Sequence, residues 1–262
     1  MNQQTFDRIA ATRRPDRGRQ GSQRWHRLLF VHWEVPQEVL RPLVDPRLTL
    51  DDFEGRFFVG LVPFTMQRVR PYDWLPSMPT ATTFGEINLR TYVHLDGQEP
   101  GVWFFSLDAH SSIAVQAART LWHLPYFRSD MTCEDDGATV RWTSRRRWPR
   151  PQASDFSVSY RVGEPIPPPQ PGSLEFFLAE RYQFYTTRRE MLLRARVHHV
   201  PYPLQLANEV QVSPSLLDAA GLPSSGPRTV DLFSPGVDVD IFSMETVSSE
   251  GAGAAVNARA AS

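Results

Sequence analysis

The sequence predicts a mainly β (α+β) fold, an antiparallel barrel or sandwich carrying a few short helices. Many short segments rich in β-branched and aromatic residues recur along the chain, and turn-forming residues separate them. Few segments have the residues that begin or end a helix. Of the 262 residues, 41% are hydrophobic, which is enough to bury a large core.

The first third of the chain predicts two strands, one short helix and a loop. Residues 27–33 and 56–64 are strongly apolar, and the second segment is so continuous in this respect that we expect a strand buried on both faces. Residues 36–44 start with a proline, which favours the first turn of a short helix. Three prolines between residues 71 and 80 predict a loop.

The centre of the chain predicts a β-hairpin followed by a helix. Residues 84–95 and 102–109 have strand composition, and Asp96-Gly97 between them is a strong turn signal. Ser111 then offers an N-cap for a helix whose apolar face runs from Ile113 to Leu121.

The remaining segments continue the same alternation of strands and turns. We predict strands near 126–133, 138–148 and 156–162, a hairpin of 182–187 and 191–199, and closing strands over 230–242. A proline-rich loop over 163–172 and short helices over 174–180 and 215–220 complete the list.

Composition divides the chain into one domain and two tails. Residues 1–22 are polar and arginine-rich, which predicts a disordered arm. Residues 23–245 are predicted to form a single β-barrel domain, because no linker interrupts them. Residues 246–262 are rich in alanine, glycine and serine, which predicts a disordered tail.

Charge and cysteine content narrow the partners and the compartment. The net charge is -1, and no apolar run is long enough to span a bilayer, so we expect neither a nucleic-acid nor a membrane partner. A single cysteine excludes an intramolecular disulfide and fits a reducing, cytoplasmic location. The oligomeric state is not predicted.

The basic residues constrain the chemistry further. All 28 of them are arginine, and arginine does not act as an amine nucleophile, so lysine Schiff-base chemistry is excluded. The sequence has no Walker loop, no GxGxxG and no HExxH, so no cofactor and no metal are predicted.

A stripe of polar residues on the 84–95 strand is the main functional signal. Side chains alternate faces along a strand, so Glu86, Asn88, Arg90, Tyr92 and His94, called the polar stripe below, share one face. The stripe is either the solvated outer face of a sheet or the lining of a polar cavity.

Under the cavity interpretation each residue has a role. Glu86 is the candidate catalytic acid or base, since burial would raise its pKa while nearby Arg90 would pull that pKa back. Arg90 suits a bidentate clamp on a substrate carboxylate. Asn88 and Tyr92 are predicted to orient a carbonyl or hydroxyl group.

Four residues elsewhere are further ligand-binding candidates. Asp108 and His110 lie on one face of the partner strand and its end, close enough in principle to join the stripe. Tyr182 and His199 come from the later hairpin. Their alternative roles are a barrel-filling aromatic side chain and a structural, hydrogen-bonded histidine.

Several motifs, taken in order, resemble the YqjF-like family (domain of unknown function 2071) from about Trp25 to Phe242. They include Leu29-Phe-Val-His-Trp-Glu-Val-Pro36, Gly60-Leu-Val-Pro-Phe64, Glu86-Ile-Asn-Leu-Arg-Thr-Tyr-Val93, Gly101-Val-Trp-Phe-Phe-Ser-Leu-Asp-Ala109, Leu124-Pro-Tyr126, Glu180-Arg-Tyr182 and His199-Val-Pro-Tyr-Pro-Leu204. The resemblance extends to the acetoacetate decarboxylase-like superfamily. It implies a closed, mostly antiparallel β barrel around an interior pocket, and so favours the cavity interpretation.

The sequence departs from that superfamily at the catalytic lysine. The region after the second hairpin strand reads Ser106-Leu-Asp-Ala-His-Ser-Ser112 and contains no amine side chain. We therefore expect a pocket for a small anionic, carboxylate-type metabolite, with lysine-independent acid-base chemistry if it is an enzyme. The alternatives are a non-catalytic sensing module, or a protein-interaction domain with a vestigial cavity.

Overall fold

A computed structural model describes residues 7–74, 83–149, 154–223 and 226–247, and most of them lie in β-strands. The strands in these ranges are β1 (Gly21–Glu34), β2 (Thr49–Leu50), β3 (Phe58–Arg70), β4 (Phe84–Leu95), β5 (Gln98–Ala109), β6 (Tyr126–Asp135), β7 (Val140–Trp148), β8 (Asp155–Pro165), β9 (Gln183–Arg188), β10 (Met191–His198), β11 (Gln205–Val212), β12 (Leu232–Ile241) and β13 (Glu245–Thr246). The predicted mainly β class is confirmed.

The helices in the described ranges are short and lie between strands. They are α1 (Gln37–Leu40), α2 (Ser112–Leu121), α3 (Leu174–Ala179) and α4 (Ser215–Ala219), with 3-10 turns at Ala10–Thr12 and Arg41–Leu43. The predicted cap of α2 is present, because the Ser111 hydroxyl accepts from the Ala114 amide at 3.2 Å. Ser173 caps α3 in the same way, through the Phe176 amide at 3.2 Å.

The strands form one sheet whose pairings lead back to the starting strand. In order, β1 pairs with β3, β3 with β4, β4 with β5, β5 with β9, β9 with β10, β10 with β12, and β12 with β1. β5 also pairs with β6, from which β7, β8 and β11 continue to β12.

The expectation of an antiparallel sheet needs one correction at β5. Its pairings with β6 and β9 are both parallel. The pairing with β6 is possible because α2 carries the chain back between β5 and β6, which is the crossover that a parallel pair requires.

The two faces of the sheet bury different clusters. The apolar face of β4, with Ile87 and Leu89, packs with Leu29, Leu61 and Trp142. The opposite face packs Phe30, Val62 and Leu107 in one cluster, and Phe58 and Tyr92 in another beside α3. The polar stripe of β4 points to this second face.

The predicted disordered arm over residues 1–22 is corrected from Asp7 onward. Arg8 makes two contacts of 2.6 Å with the buried carboxylate of Asp51, and Arg19 binds Asp73 and Asp240. β1 begins at Gly21, inside the predicted arm. Residues 1–6 lie outside the described residues, as do 248–262 of the predicted tail, whereas Thr246 still belongs to β13.

Other element predictions were close to the observed bounds. The hairpin of β4 and β5 was predicted correctly, while the proposed helix over 36–44 is a single α turn continued by a 3-10 turn. Residues 75–80 of the predicted proline loop lie outside the described residues. Within the described ranges, no helix is both long enough and apolar enough to cross a membrane.

Candidate functional site

The polar stripe is buried in the protein interior. Glu86, Asn88, Arg90 and Tyr92 are 3%, 7%, 8% and 0% exposed, and only His94 at the end of the strand is partly exposed. The alternative of a solvated outer face is therefore wrong for these four residues. Burying this many polar groups costs free energy unless each has a hydrogen-bond partner. The contacts of these four residues therefore show which of their atoms remain available to a ligand.

One row of residues crosses four strands at the centre of the stripe. His32 on β1 pairs with Gly60 on β3, Gly60 with Arg90 on β4, and Arg90 with Phe104 on β5. Gly60 has no side chain to fill the space between its neighbours in this row. A Cβ at this position would lie 2.9 Å from His32 Nε2 and 3.2 Å from the Tyr92 hydroxyl. The missing side chain lets groups from β1 and β4 meet across β3.

His32 and Tyr92 meet across Gly60. The Tyr92 hydroxyl donates to the Leu178 carbonyl at 2.8 Å and lies 2.7 Å from His32 Nε2. A hydroxyl has one proton, so His32 Nε2 must be the donor in that second contact, which leaves Nδ1 as an acceptor. Burial lowers the pKa of His32 well below its usual value, and the charge of Arg90 acts in the same direction, so the ring is neutral.

The Leu178 carbonyl is available because α3 ends there. The last carbonyls of a helix have no partner within the helix. At this end Leu178 accepts from both Tyr92 and Arg90, the latter at 3.2 Å. A short helix thus anchors two adjacent members of the polar stripe.

Arg90 is a buried cation without a carboxylate partner in the described part of the chain. Two other arginines are equally buried, and each has one: Arg146 pairs with Asp108 at 2.8 Å and Arg181 with Asp51 at 2.7 Å. Arg90 donates to the Leu178 carbonyl and interacts with the Tyr92 hydroxyl, and its Nε has no hydrogen-bond partner among the described residues. Its guanidinium lies 5.9 Å from the Phe30 ring centroid and 5.8 Å from that of Tyr92.

Tyr182 and His199, predicted from the later hairpin, lie together. Their rings stack at 4.4 Å with an interplanar angle of 18°, and the Tyr202 ring is tilted by 45° to His199 at a centroid distance of 4.4 Å. The Tyr182 hydroxyl donates to Glu180, whose other oxygen accepts from the Tyr202 amide at 2.9 Å. Burial raises the pKa of Glu180.

His199 presents an unpaired nitrogen in this cluster. Its Nδ1 lies 2.7 Å from the Val200 carbonyl and must donate, since a carbonyl only accepts. Burial lowers the pKa of His199 to about 4, and Arg90 is among the nearby charges that contribute. The neutral ring therefore has a free lone pair on Nε2, which has no hydrogen-bond partner.

Glu86 lies at the far end of the stripe with a tyrosine. The Tyr126 hydroxyl donates to Glu86 at 3.0 Å. Burial raises the pKa of Glu86 to about 8, against the lowering effect of this bond, and the charge of Asp108 raises it further. The predicted lowering of this pKa by Arg90 is not among the causes.

Asp108 is not part of this face. Its carboxylate is held by Arg146 through Nε and Nη2 at 2.8 Å each, and it accepts from the Ser129 hydroxyl at 2.8 Å. A bulge at Phe105 shifts the alternation of β5, so that Phe104 pairs with Arg90 but Ser106 pairs with Leu89. Asp108 consequently pairs with Ile87 and points to the opposite face.

His110 is likewise separate from the stripe. It is exposed, its Nδ1 accepts from the Met131 amide at 3.2 Å, and it lines a surface cavity of about 580 Å³ with Asp130 and Arg147. A larger cavity of about 700 Å³ opens beside Phe104 and Phe105. Neither of these two cavities is lined by the buried stripe residues.

Four residues of this site were not predicted from the sequence: His32, Tyr126, Glu180 and Tyr202. All four lie in the motifs that carried the family resemblance, which was the available signal for Tyr126 and Glu180. His32 is one polar residue in an otherwise apolar strand, a pattern that predicts a core position. Among the residues that the structure describes, no group of three or more His, Cys, Asp or Glu side chains is placed to hold a metal ion.

Comparison of the sequence with known proteins identifies relatives of this chain. A family described as an uncharacterized conserved protein, domain of unknown function 2071, matches residues 22–238. The uncharacterized protein YqjF of Bacillus subtilis (strain 168) is 42% identical over 211 residues, which are 78% of this chain and 84% of YqjF.

Solved structures share the fold at low sequence identity. Acetoacetate decarboxylase from Legionella pneumophila matches with a TM-score of 0.61 and 11% identity, over 93% of this chain and 94% of that chain. The enduracididine biosynthesis enzyme MppR, complexed with pyruvate, matches with a TM-score of 0.61 and 11% identity, over 90% of this chain and 93% of that chain. The fold is therefore acetoacetate decarboxylase-like.

Proposed function

This chain belongs to the uncharacterized YqjF-like family, and we propose that it binds a small carboxylate-bearing metabolite on the interior face of β4, with Arg90 holding the carboxylate. The observation that carries the proposal is the burial of Arg90 without an acidic partner among the described residues. A buried charge without a counter-charge is strongly unfavourable. A ligand carboxylate would supply that charge and bind the guanidinium through two parallel hydrogen bonds.

The other unpaired atoms on this face favour a ligand with hydroxyl groups. Asn88 Oδ1 and His199 Nε2 are both acceptors without a partner. A hydroxyl group donates to such acceptors, whereas the carbonyl of an oxo acid cannot. We therefore place small hydroxy acids ahead of oxo acids as ligands.

The fold supports an enclosed position for this ligand. We infer that the ring of strand pairings is a closed barrel and that the face bearing Arg90 lines its interior. The structural neighbour MppR was solved with pyruvate, itself a small carboxylate. At 11% identity this supports the type of fold and of ligand, not an activity.

Any chemistry at this site proceeds without lysine. A carboxyl group with a pKa of about 8 holds its proton at pH 7, so Glu86 is a proton donor at neutral pH and a base only above pH 8. Tyr126 orients that carboxyl group. Imine chemistry is not available to a sequence in which every basic residue is arginine.

The proposal is tested by thermal stabilisation across a panel of hydroxy and oxo acids. A ligand at 100 times its dissociation constant adds about 2.7 kcal/mol to the free energy of unfolding, which raises the melting temperature measurably. We expect hydroxy acids to stabilise the wild type and to leave Arg90→Met unchanged. Exposed Arg189→Met, with the same change in net charge, is the control and should behave as the wild type does.

The same panel separates an enzyme from a binding module. Turnover of a bound acid that is lost in Glu86→Gln, with binding kept, identifies an enzyme. Binding without turnover identifies a sensing module on the same scaffold. If no acid stabilises the wild type, or if Arg90→Met responds equally, Arg90 is not an anion site.

A further inference from the structure

The sheet divides at the middle of β5. On the edge of β5 away from β4, residues Val102 and Trp103 pair with β9, and residues 107–109 pair with β6. The three residues between, Phe104, Phe105 and Ser106, fall between these two pairings. We call this place the fork, because β6 and β9 diverge from β5 there.

A cavity of about 700 Å³ opens at the fork. Its walls come from β5, from β9, and from β6 with the segment before it, and they include Phe104, Phe105, Phe127, Tyr185 and Thr186. The Thr186 hydroxyl donates to the His123 carbonyl at 2.8 Å and joins the two diverging walls. The cavity therefore has a defined rim at a gap in the strand pairing.

Phe104 stands between this cavity and Arg90. It is the cross-strand partner of Arg90 and lies on the same face of the sheet. It lines the cavity and also packs against both apolar clusters of the interior face. The Phe184 ring on β9 lies 5.6 Å from the Phe104 ring, so two aromatic rings close the inner end of the fork.

Phe105 lines the same cavity but has the opposite orientation. By the ordinary alternation of a strand, it packs with the cluster on the other face of the sheet. The two adjacent phenylalanines thus share the cavity, while only one of them adjoins Arg90.

We propose that the fork is the entry route for small organic acids to Arg90, and that Phe104 is the gate that determines their size and rate of entry. The inference rests on the proposed function, because Arg90 is its destination. A phenylalanine ring that swings about its Cα–Cβ bond opens a passage without breaking the sheet. Ligands too large to pass it are excluded before they reach the arginine.

The gate is tested through the chemical accessibility of Arg90. The neutral probe 2,3-butanedione modifies arginine, and peptide mass spectrometry gives the rate at each position. We expect Phe104→Ala to increase the rate at Arg90 about tenfold, and Phe105→Ala to leave it unchanged. Arg146, buried in its pair with Asp108, serves in the same sample as the internal measure of folding.

A second variant covers the case in which Phe104→Ala loosens the fold and Arg146 reacts faster too. Phe104→Trp fills the gate, and we expect it to slow modification of Arg90 below the wild-type rate, which loosening cannot do. An unchanged or faster rate in Phe104→Trp, or an unchanged Arg90 rate in a folded Phe104→Ala, overturns the gate. Since butanedione is not an acid, this result is independent of whether any acid binds.

Discussion

The buried arginines of this protein differ in their partners. Arg146 has the carboxylate of Asp108 and the hydroxyl of Ser106, both at 2.8 Å, whereas Arg90 has the Leu178 carbonyl at 3.2 Å and no carboxylate among the described residues. Removal of one member of a buried ion pair leaves the other charge buried without a counter-charge, which destabilises the protein. Removal of a buried charge that has no counter-charge instead removes its desolvation cost and stabilises the protein. The two residues should therefore respond to the same substitution with opposite signs.

We predict that Arg90→Met stabilises the ligand-free protein, while Arg146→Met destabilises it by about 3–5 kcal/mol. Urea unfolding of the two variants measures both effects. A stabilising substitution that abolishes ligand binding is typical of a functional site. If Arg90→Met is as destabilising as Arg146→Met, then Arg90 has a structural role and the account of the site is wrong.

The proton on Glu86 makes stability depend on pH. With a pKa of about 8 in the folded protein and an ordinary value in the unfolded chain, the native state binds more protons between those two values. The free energy of unfolding of the wild type should therefore fall, relative to Glu86→Gln, as the pH rises towards 8. The slope is at most about 1.4 kcal/mol per pH unit.

Urea unfolding at a series of pH values from 5 to 9 measures this difference. The exposed Glu164→Gln variant should follow the wild type throughout. Parallel curves for wild type and Glu86→Gln would show that Glu86 is ionised in the folded protein, which removes it as a proton donor at pH 7.

The sequence predicted which stripe residues share a face, but not which side of the sheet they face. Alternation alone groups Glu86 with Arg90. Polar residue types predict that such a face is exposed to solvent, whereas the resemblance to a barrel family favoured the interior. His32 was not predicted because nothing in the sequence around Val31 and Trp33 indicates a function for it. Its role becomes visible only from its contact with Tyr92 in the folded protein.

Within strand β5, a single extra residue determines which side of the sheet Asp108 faces. Simple alternation from Phe104 puts Asp108 on the Arg90 face, where it would join the polar stripe as predicted. The bulge at Phe105 reverses the side that each later residue of β5 faces, so Leu107 lies on the Arg90 face and Asp108 on the opposite one. No residue type at this point of the sequence indicates a bulge. The side of the sheet that Asp108 and His110 face could therefore not be predicted from strand periodicity.

β3 depends on a glycine in its interior. Alanine at position 60 would place a Cβ 2.9 Å from His32 Nε2, pushing His32 and Tyr92 apart. We predict that Gly60→Ala destabilises the protein by about 1–3 kcal/mol, as overpacking does. Urea unfolding measures it.

Two comparisons make the Gly60 prediction specific. Gly18→Ala is the control, since a Cβ there meets no atom within 4 Å. In a His32→Ala background the cost of Gly60→Ala should shrink, because the clashing ring is gone. An equal cost in both backgrounds would assign the effect to strand conformation and not to the His32–Tyr92 contact.

β11 shows why one strand was missed altogether. Half of its eight residues are polar, and apart from Ala207 its residues are partly or fully exposed. Such a strand is specified by its pairing with β8 and β12 and not by its own apolar pattern.

At the scale of the whole molecule, the arginine-rich N-terminal segment was misjudged for a similar reason. Composition predicted disorder, but Arg14 and Arg19 meet Asp240, and Arg8 meets Asp51 beside Arg181. These acids lie far along the chain, so their proximity follows from the sheet and not from local sequence. The family resemblance predicted the fold class correctly, but it did not predict the ion pairs between the N-terminal arginines and these acids.

If Arg90 holds a ligand carboxylate on the interior face of β4, calorimetric titration measures that interaction as a dissociation constant. The acid that stabilises the wild type most is titrated into wild type, Arg90→Met and Arg189→Met. We predict equal dissociation constants for wild type and Arg189→Met, and a value at least about 30-fold weaker for Arg90→Met. The same affinity in Arg90→Met and the wild type would contradict this role of Arg90.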